Sequence, residues 1–135
     1  MNLRKNIEGD KIKRDFKNTM DLVDLLLEEK KEKEKYFKEP EKYAKKIKKK
    51  AKEILKKAKV FLFGSIVRGD FLFSSDIDVL VVSDNFKESQ RGKIIAQLLN
   101  EVGFLSPFQI HLVKNKDFEN WYKKFIKKRE IKEIK

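Results

Sequence analysis

The sequence predicts an α/β fold of the α+β kind: a small mixed β-sheet with helices packed on it, preceded by a helical extension. Three observations predict it. Two lysine- and glutamate-rich stretches repeat apolar residues at the helical spacing of three and four. A central segment then carries short apolar runs bounded by glycine, proline or polar residues. A further helical stripe separates the second of these runs from the third, which is the pattern of helices packed on a sheet. At 135 residues the chain has the size of one domain.

Residues 1–14 are polar and show no period. Phe16, Met20, Val23 and Leu27, with Leu22 and Leu26 beside them, form the stripe of a first helix that Asn18 or Thr19 can cap. The charged run 28–35 continues it as a solvated helix, and Pro40 breaks it. Tyr43, Ile47, Ala51, Ile54, Leu55 and Ala58 mark one face of a second helix whose opposite face is almost all lysine. Residues 60–63 (Val-Phe-Leu-Phe) read as a buried strand ending at Gly64, and 76–82 as a β-branched strand with a polar start. Ile94, Ile95, Leu98, Leu99 and Val102 mark a helix that stops at Gly103. Residues 108–113 form a third strand, entered through Pro107. Asn115 is expected to cap a last helix with the stripe Phe118, Trp121, Tyr122, Phe125, Ile126. The resulting organisation is a helical extension over 1–40, the main domain over 41–130 and a basic tail over 131–135.

The net charge of +12 is uneven. Residues 1–59 carry +9, residues 60–115 carry −1 and residues 116–135 carry +4. Such an excess is the footprint of a nucleic-acid binder. Here it sits on lysine/glutamate arms, which read more simply as solvated helix faces and as a thermophile-like composition. With no cysteine, disulfides, thiolate zinc sites and cysteine nucleophiles are excluded, and a single histidine, His111, excludes a two-histidine metal site. No charge-free apolar stretch approaches the roughly 20 residues of a membrane span, and the start lacks the apolar core of a signal peptide. A cytoplasmic protein without a membrane partner is expected.

The chemistry concentrates in Gly64-Ser65 and, ten residues on, Asp76-Ile77-Asp78. In a strand, residues i and i+2 share a face, so Asp76 and Asp78 project together while Ile77 turns inward. Two adjacent carboxylates repel, and a divalent cation resolves the repulsion. Oxygen ligands on a rigid strand suit Mg²⁺, which completes its shell with water and phosphate. Gly64 lets the chain turn sharply and a phosphate come close. The Ser65 hydroxyl and the N–H groups of the turn can hold that phosphate, and Arg68 can place its guanidinium on the same anion. Ser75 either contacts phosphate or satisfies the turn before Asp76. No lysine follows the glycine as a P-loop requires. A phosphate cradle beside metal carboxylates is what phosphoryl or nucleotidyl transfer needs. Arg68-Gly69-Asp70 matches an integrin-binding tripeptide by coincidence, and Asp70 reads as a solvated turn residue. Trp121 and Tyr122 read as core.

The stretch FGSIVRGDFLFSSDIDVLVV, residues 63–82, resembles the motif of the minimal nucleotidyltransferases, within the DNA polymerase β-like nucleotidyltransferase superfamily. The resemblance extends in element order over about residues 42–128. It implies an NTP donor such as ATP, Mg²⁺ (or Mn²⁺) on Asp76 and Asp78, a triphosphate on Gly64 and Ser65, and transfer of a nucleoside monophosphate to an acceptor hydroxyl. Small members similar to this chain are often antitoxins that add AMP to a tyrosine of a helical, HEPN-type toxin, which implies a small helical protein partner.

One position departs from the pattern. The superfamily usually carries a third carboxylate on a later strand, and the matching strand 108–113 has none. Alternation sets Phe108, Ile110 and Leu112 toward the core, with Gln109 and His111 toward the cleft, and His111 stands where the third carboxylate is expected. Neutral imidazole is a poor ligand for Mg²⁺ and a better one for Mn²⁺ or Zn²⁺, yet it can serve as a general base near pH 7. Three readings stand: His111 is a catalytic base, a contact to nucleotide or acceptor, or a strand residue in a weakened site. Asp117 and Glu119 are better explained by the first turn of the last helix. The rivals to catalysis are a protein-binding module of the same fold and a nucleic-acid binder using the lysine-rich helices.

Overall fold

The computed structural model describes residues 21–72, 75–122, 124 and 130–135. The chain divides into two compact units, residues 1–32 and 33–135. In the first, the described residues 21–32 are helical, as the spacing of Val23 and Leu27 predicts. Leu22, Val23, Leu25, Leu26 and Leu27 are each more than half exposed. Phe16 and Met20, which begin that stripe, and the expected caps Asn18 and Thr19 lie outside the described residues.

The second unit opens with helical residues 33–38, here α1. Its Phe37 is buried and stacks on Phe71 at 5.1 Å between ring centroids. The Tyr36 hydroxyl donates to the Val102 carbonyl at 3.0 Å. Pro40 ends this turn and begins the next helix, α2 (Pro40–Leu55). A proline at a helix start gives up no hydrogen bond, because the first N–H groups have no partner within the helix. Ala44, Ile47, Ala51 and Leu55 are its buried face. Burying a side chain such as Ile47 or Leu55 contributes about 1.5–3 kcal/mol. The expected stripe ran on to Ala58, but the helix stops at Leu55 because Lys56 takes a positive φ of 67°.

Among the described residues there are four strands: β1 (Lys59–Phe63), β2 (Ile77–Val82), β3 (Phe108–Val113) and β4 (Ile131–Glu133). Their order is β3-β2-β1-β4. β1 runs antiparallel to β2 and to β4, whereas β2 and β3 are parallel. The parallel pair needs a crossover, and α4 (Arg91–Asn100) supplies it. After α4 the chain turns at Gly103, whose φ is 102° and whose N–H donates to the Leu99 carbonyl at 2.8 Å. The sheet is therefore mixed and the fold α+β, as predicted.

Strand alternation divides the core. One face, with Val60, Leu62, Val79 and Ile110, joins the buried residues of α2 and α4. The other gathers Phe61, Leu80, Val82, Val113 and Phe118, with the Phe61 and Phe118 rings stacked at 5.2 Å. β2 is covered on both sides, which explains its unbroken apolar run. No helix among the described residues is long and apolar enough to cross a membrane.

Two details differ from expectation. β4 falls in the stretch read as a basic tail: three residues, Ile-Lys-Glu, are too few to show alternation, and the strand is held by pairing with β1 and by the buried Ile134. Asn115 is not a cap. It is the first residue of a short helix, α5 (Asn115–Asp117), and its backbone and side-chain N–H groups donate to Asp84, each at 3.0 Å. The N-cap position falls on Lys114, so Asn115 already lies inside the helix, and its side-chain amide is used as a donor to Asp84. The expected last helix is helical without a break from Asn115 through a π-helical turn, Phe118–Tyr122, and again at Lys124. Phe118 is buried, and Phe125, Ile126 and the Trp121 side chain lie outside the described residues.

Candidate active site

The site forms where β1 ends and β2 begins. Gly64 follows β1 directly with φ 79° and ψ −146°, a conformation that strongly favours glycine. Its N–H donates to the Glu130 carbonyl at 2.9 Å, and its own carbonyl accepts from the N–H groups of Val67 and Arg68. That starts a single helical turn, α3 (Ser65–Arg68), closed by Gly69 in the left-handed region. The first N–H groups of a helical turn, here those of Ser65 and Ile66, have no carbonyl partner within the turn. The Gly64 N–H, in contrast, is already engaged.

Strand register brings the motif's two halves together. Phe63 pairs with Asp78, so the carboxylate of Asp78 lies against the turn that follows. A Cβ added to Gly64 would stand 3.2 Å from Asp78 Oδ2. Gly64 is thus required twice, for its φ and for the close approach. Ile77 is fully buried, Asp76 before it is exposed and Asp78 after it is half-buried, the inward–outward alternation predicted for the pair. The Ile77 N–H donates to the Pro107 carbonyl at 2.7 Å and anchors the start of β2. Among the described residues, Asp76 has no hydrogen-bond or ion-pair partner.

His111 lies on the same sheet face, with Nε2 3.3 Å from Asp78 Oδ1. An ionised Asp78 only accepts, so this long contact calls for a proton on Nε2. The imidazole is bracketed by rings: Phe63 at 5.2 Å and Tyr122 at 6.4 Å between centroids. Burial pushes the Tyr122 phenol above its ordinary range, which keeps it neutral beside the site. Gln109, paired with Asp78 across the strands, is exposed.

The remaining predicted residues are placed as follows. Ser65 opens α3. Arg68 Nε donates to both oxygens of Asp70 at 3.2 Å, and its Nη1 pairs with Glu130 at 3.4 Å. The Asp70 hydrogen bond, with Glu130 nearby, holds the Arg68 guanidinium above its ordinary value. The Ser75 hydroxyl accepts the Leu72 N–H at 3.2 Å, and the Ser75 N–H donates back to the Leu72 carbonyl at 2.8 Å, so in this structure Ser75 closes the turn. Glu130 was not foreseen. Its carbonyl fixes Gly64 and its carboxylate fixes Arg68, and nothing in the local sequence distinguishes it from the other glutamates of the charged arm.

Among the described residues, no group of three or more histidine or acidic side chains is gathered to hold a metal ion. The donor set available is Asp76, one residue before β2, and Asp78 on β2, with an imidazole beside the second. That fits a hard cation that draws the rest of its shell from substrate phosphate and water, and it does not fit an all-protein cage.

Residues 44–134 match the family model of the nucleotidyltransferase domain. The chain belongs to this family. The nucleotidyltransferase domain so defined begins inside α2, takes in the whole site and includes β4. A crystal structure of a protein whose nucleotidyltransferase assignment is itself provisional is 33% identical, with a TM-score of 0.56, over 67% of this chain and 96% of that one. A second such structure, from Sulfolobus solfataricus, shares the fold at 21% identity and a TM-score of 0.50, over 65% of this chain and 78% of that one. No curated protein matches the chain.

Proposed function

We propose that this nucleotidyltransferase moves AMP from ATP to a hydroxyl group on a partner protein. The observation that carries this reading is the close approach of Gly64 to the Asp78 carboxylate, so close that a Cβ on Gly64 would stand 3.2 Å from Oδ2; it brings the phosphate-side turn against the metal-side strand. Asp76 and Asp78 are the residues that would hold Mg²⁺, or Mn²⁺, and the ion would supply neutralisation of charge on the transferring phosphoryl group. Ser65 and the N–H groups opening α3 orient the triphosphate. Arg68 stands one helical turn away, tied to Asp70 and Glu130, and reaches the anion by exchanging one of these carboxylates for it. The acceptor oxygen attacks the α-phosphorus, the bond from that phosphorus to the bridging oxygen breaks, and pyrophosphate leaves. His111, whose Nε2–H is held against Asp78, orients that carboxylate, and Nδ1 is the ring nitrogen left to take the acceptor proton. The resemblance to small antitoxin nucleotidyltransferases supports a helical, HEPN-type toxin as the partner, and the exposed leucines and valine of 21–27 offer a surface for one.

The test is transfer of label from α-labelled ATP to the protein encoded beside this chain, with Mg²⁺ or Mn²⁺. Label that disappears in Asp76→Ala/Asp78→Ala supports the reading. A stable complex with the partner and no label with any NTP or metal would overturn it in favour of a non-catalytic binding module.

A further inference from the structure

Among the described residues, the lysines of α2 and of the turn after it divide into those with a polar partner and those without, Lys45, Lys46 and Lys49 being among the latter. Lys42 pairs with Glu39, Lys50 with Glu53 and Glu101, and Lys48 donates to the Ile134 carbonyl. Lys52, Lys56, Lys57 and Lys59 have no ion-pair partner among the described residues. They line one open cleft of about 580 Å³. It lies at the opposite end of β1 and β2 from the site above. Lys59 pairs with Val82 where Phe63 pairs with Asp78 four residues on, a separation of about 14 Å at strand rise.

The backbone is bent to make this cleft. Lys56 has φ 67° and ψ −52°, and the Lys57 N–H reaches back to the Leu55 carbonyl at 2.8 Å. That is a γ-turn of the rare, strained hand, at a residue that is not glycine. The carbonyl oxygens that would repel an anion there are occupied. The Leu55 carbonyl also accepts the Asn85 amide at 2.9 Å, and the Lys57 carbonyl accepts the Ser83 hydroxyl at 2.5 Å. Asp84, the carboxylate in the lining, is engaged by both N–H donors of Asn115. Four lysines thus line an open volume against a single carboxylate, Asp84, and the backbone acceptors beside them already have partners. The volume is that of a small-ligand site, which suits a compact anion.

We infer that this cleft is a second anion site, separate from the transfer site, which takes a compact ligand carrying two or three linked phosphates. Free inorganic oligophosphate and the phosphate chain of a nucleotide share that chemistry.

The experiment is calorimetric titration of the full chain with inorganic triphosphate in excess chelator, repeated with ATP. One triphosphate binds per chain without metal. Binding survives in Asp76→Asn/Asp78→Asn and weakens about tenfold or more in Lys56→Gln/Lys57→Gln/Lys59→Gln. Lys56→Gly removes one ammonium and relieves the positive φ, so it keeps the fold and gives a smaller loss in the same direction. Equal affinity for ATP and triphosphate assigns recognition to the phosphate chain alone, and tighter ATP binding assigns a nucleotide; both support the site. No binding, loss in the aspartate variant, or no loss in the lysine variants overturns it. Tighter binding of a single-stranded oligonucleotide, with a steep salt slope, overturns the compact ligand in favour of a nucleic-acid track. Loss of label transfer in the aspartate variant with triphosphate binding intact separates this inference from the proposed activity.

Discussion

The two ends of the β1–β2 pair are built from opposite charges, about 14 Å apart. At one end stand a left-handed glycine, a half-buried aspartate and an imidazole; at the other, four lysines around a strained turn. Both ends suit phosphate, by different physics. On the proposed reading the acidic end would use a bound cation and backbone N–H groups, its own charge having the wrong sign for a phosphate substrate. The basic end needs no intermediary. A chain with a net charge of +12 thus carries its Gly-Ser turn and paired aspartates in its least basic segment.

The comparison breaks most sharply at Asp78. Asp78→Asn keeps the size of the side chain and removes the charge, and is expected to lower label transfer on the order of 10²–10³-fold. Triphosphate binding at the lysine end should stay within twofold, about what a surface substitution permits. A parallel fall at both ends would show that they are one site. Gly64→Ala comes next. The methyl group meets Asp78 Oδ2 at 3.2 Å in a backbone conformation that side chains rarely adopt. Strain of about 1–3 kcal/mol should appear in urea unfolding, with transfer reduced on the order of tenfold as the carboxylate moves off its position. Unchanged transfer would mean that the contact between turn and strand does not position Asp78.

The lysine end has its own structural key. Ser83 is 2% exposed; its hydroxyl donates to the Lys57 carbonyl at 2.5 Å and accepts the Asn85 N–H at 3.1 Å. Ser83→Ala leaves both partners without it and should cost about 1–3 kcal/mol in urea unfolding. Anion binding should fall with it, because the turn that carries Lys56 and Lys57 loses a tether, while label transfer per folded molecule should not change. A loss of transfer equal to the loss of binding would show the two ends to be coupled through β2.

The two ends also differ in how legible they are in the sequence. The acidic end is written in contiguous, chemically distinctive residues. Gly64-Ser65 and Asp76-Ile77-Asp78 lie beside strands whose apolar runs are unmistakable, and expected strands at 60–63, 76–82 and 108–113 fall within a residue of β1, β2 and β3. His111 was found because alternation on β3 sends it to the same face as Asp78. Glu130 and β4 escaped notice because their partners are some 70 residues away and their own sequence repeats the lysine/glutamate texture of the arms. The basic end escaped for a related reason. Lys56, Lys57 and Lys59 look like the tail of a solvated helix face, and only the positive φ at Lys56 ends α2 early enough to turn them into a cleft. Hydrogen bonds from Asn85 and Ser83, some thirty residues on, hold that turn. Asn115 has the composition of a cap, and its partner Asp84 could be known only once β2 and β3 were seen side by side.

The smallest expected effect is a pH dependence confined to the lysine end. The hydrogen bonds from Asn115, with Lys114 nearby, hold Asp84 below its ordinary value of 3.8. A carboxyl group whose folded value is depressed contributes stability that is fully present above the unfolded value and is lost as pH falls through the folded one. The window therefore lies below about pH 5, where the unfolded chain takes up the proton first. Asp84→Asn removes the titration, so its stability relative to wild type should improve as pH falls from about 5 toward 3 and stay constant from 5 to 8, read by urea unfolding at each pH. Asp84 is exposed, so the difference should be small and shrink in high salt. Label transfer should be insensitive to the substitution across the neutral range, because Asp78 belongs to the other end of the strand. A wild-type-minus-variant difference that instead opened between pH 6 and 8 would place a different titrating group in control of this loop.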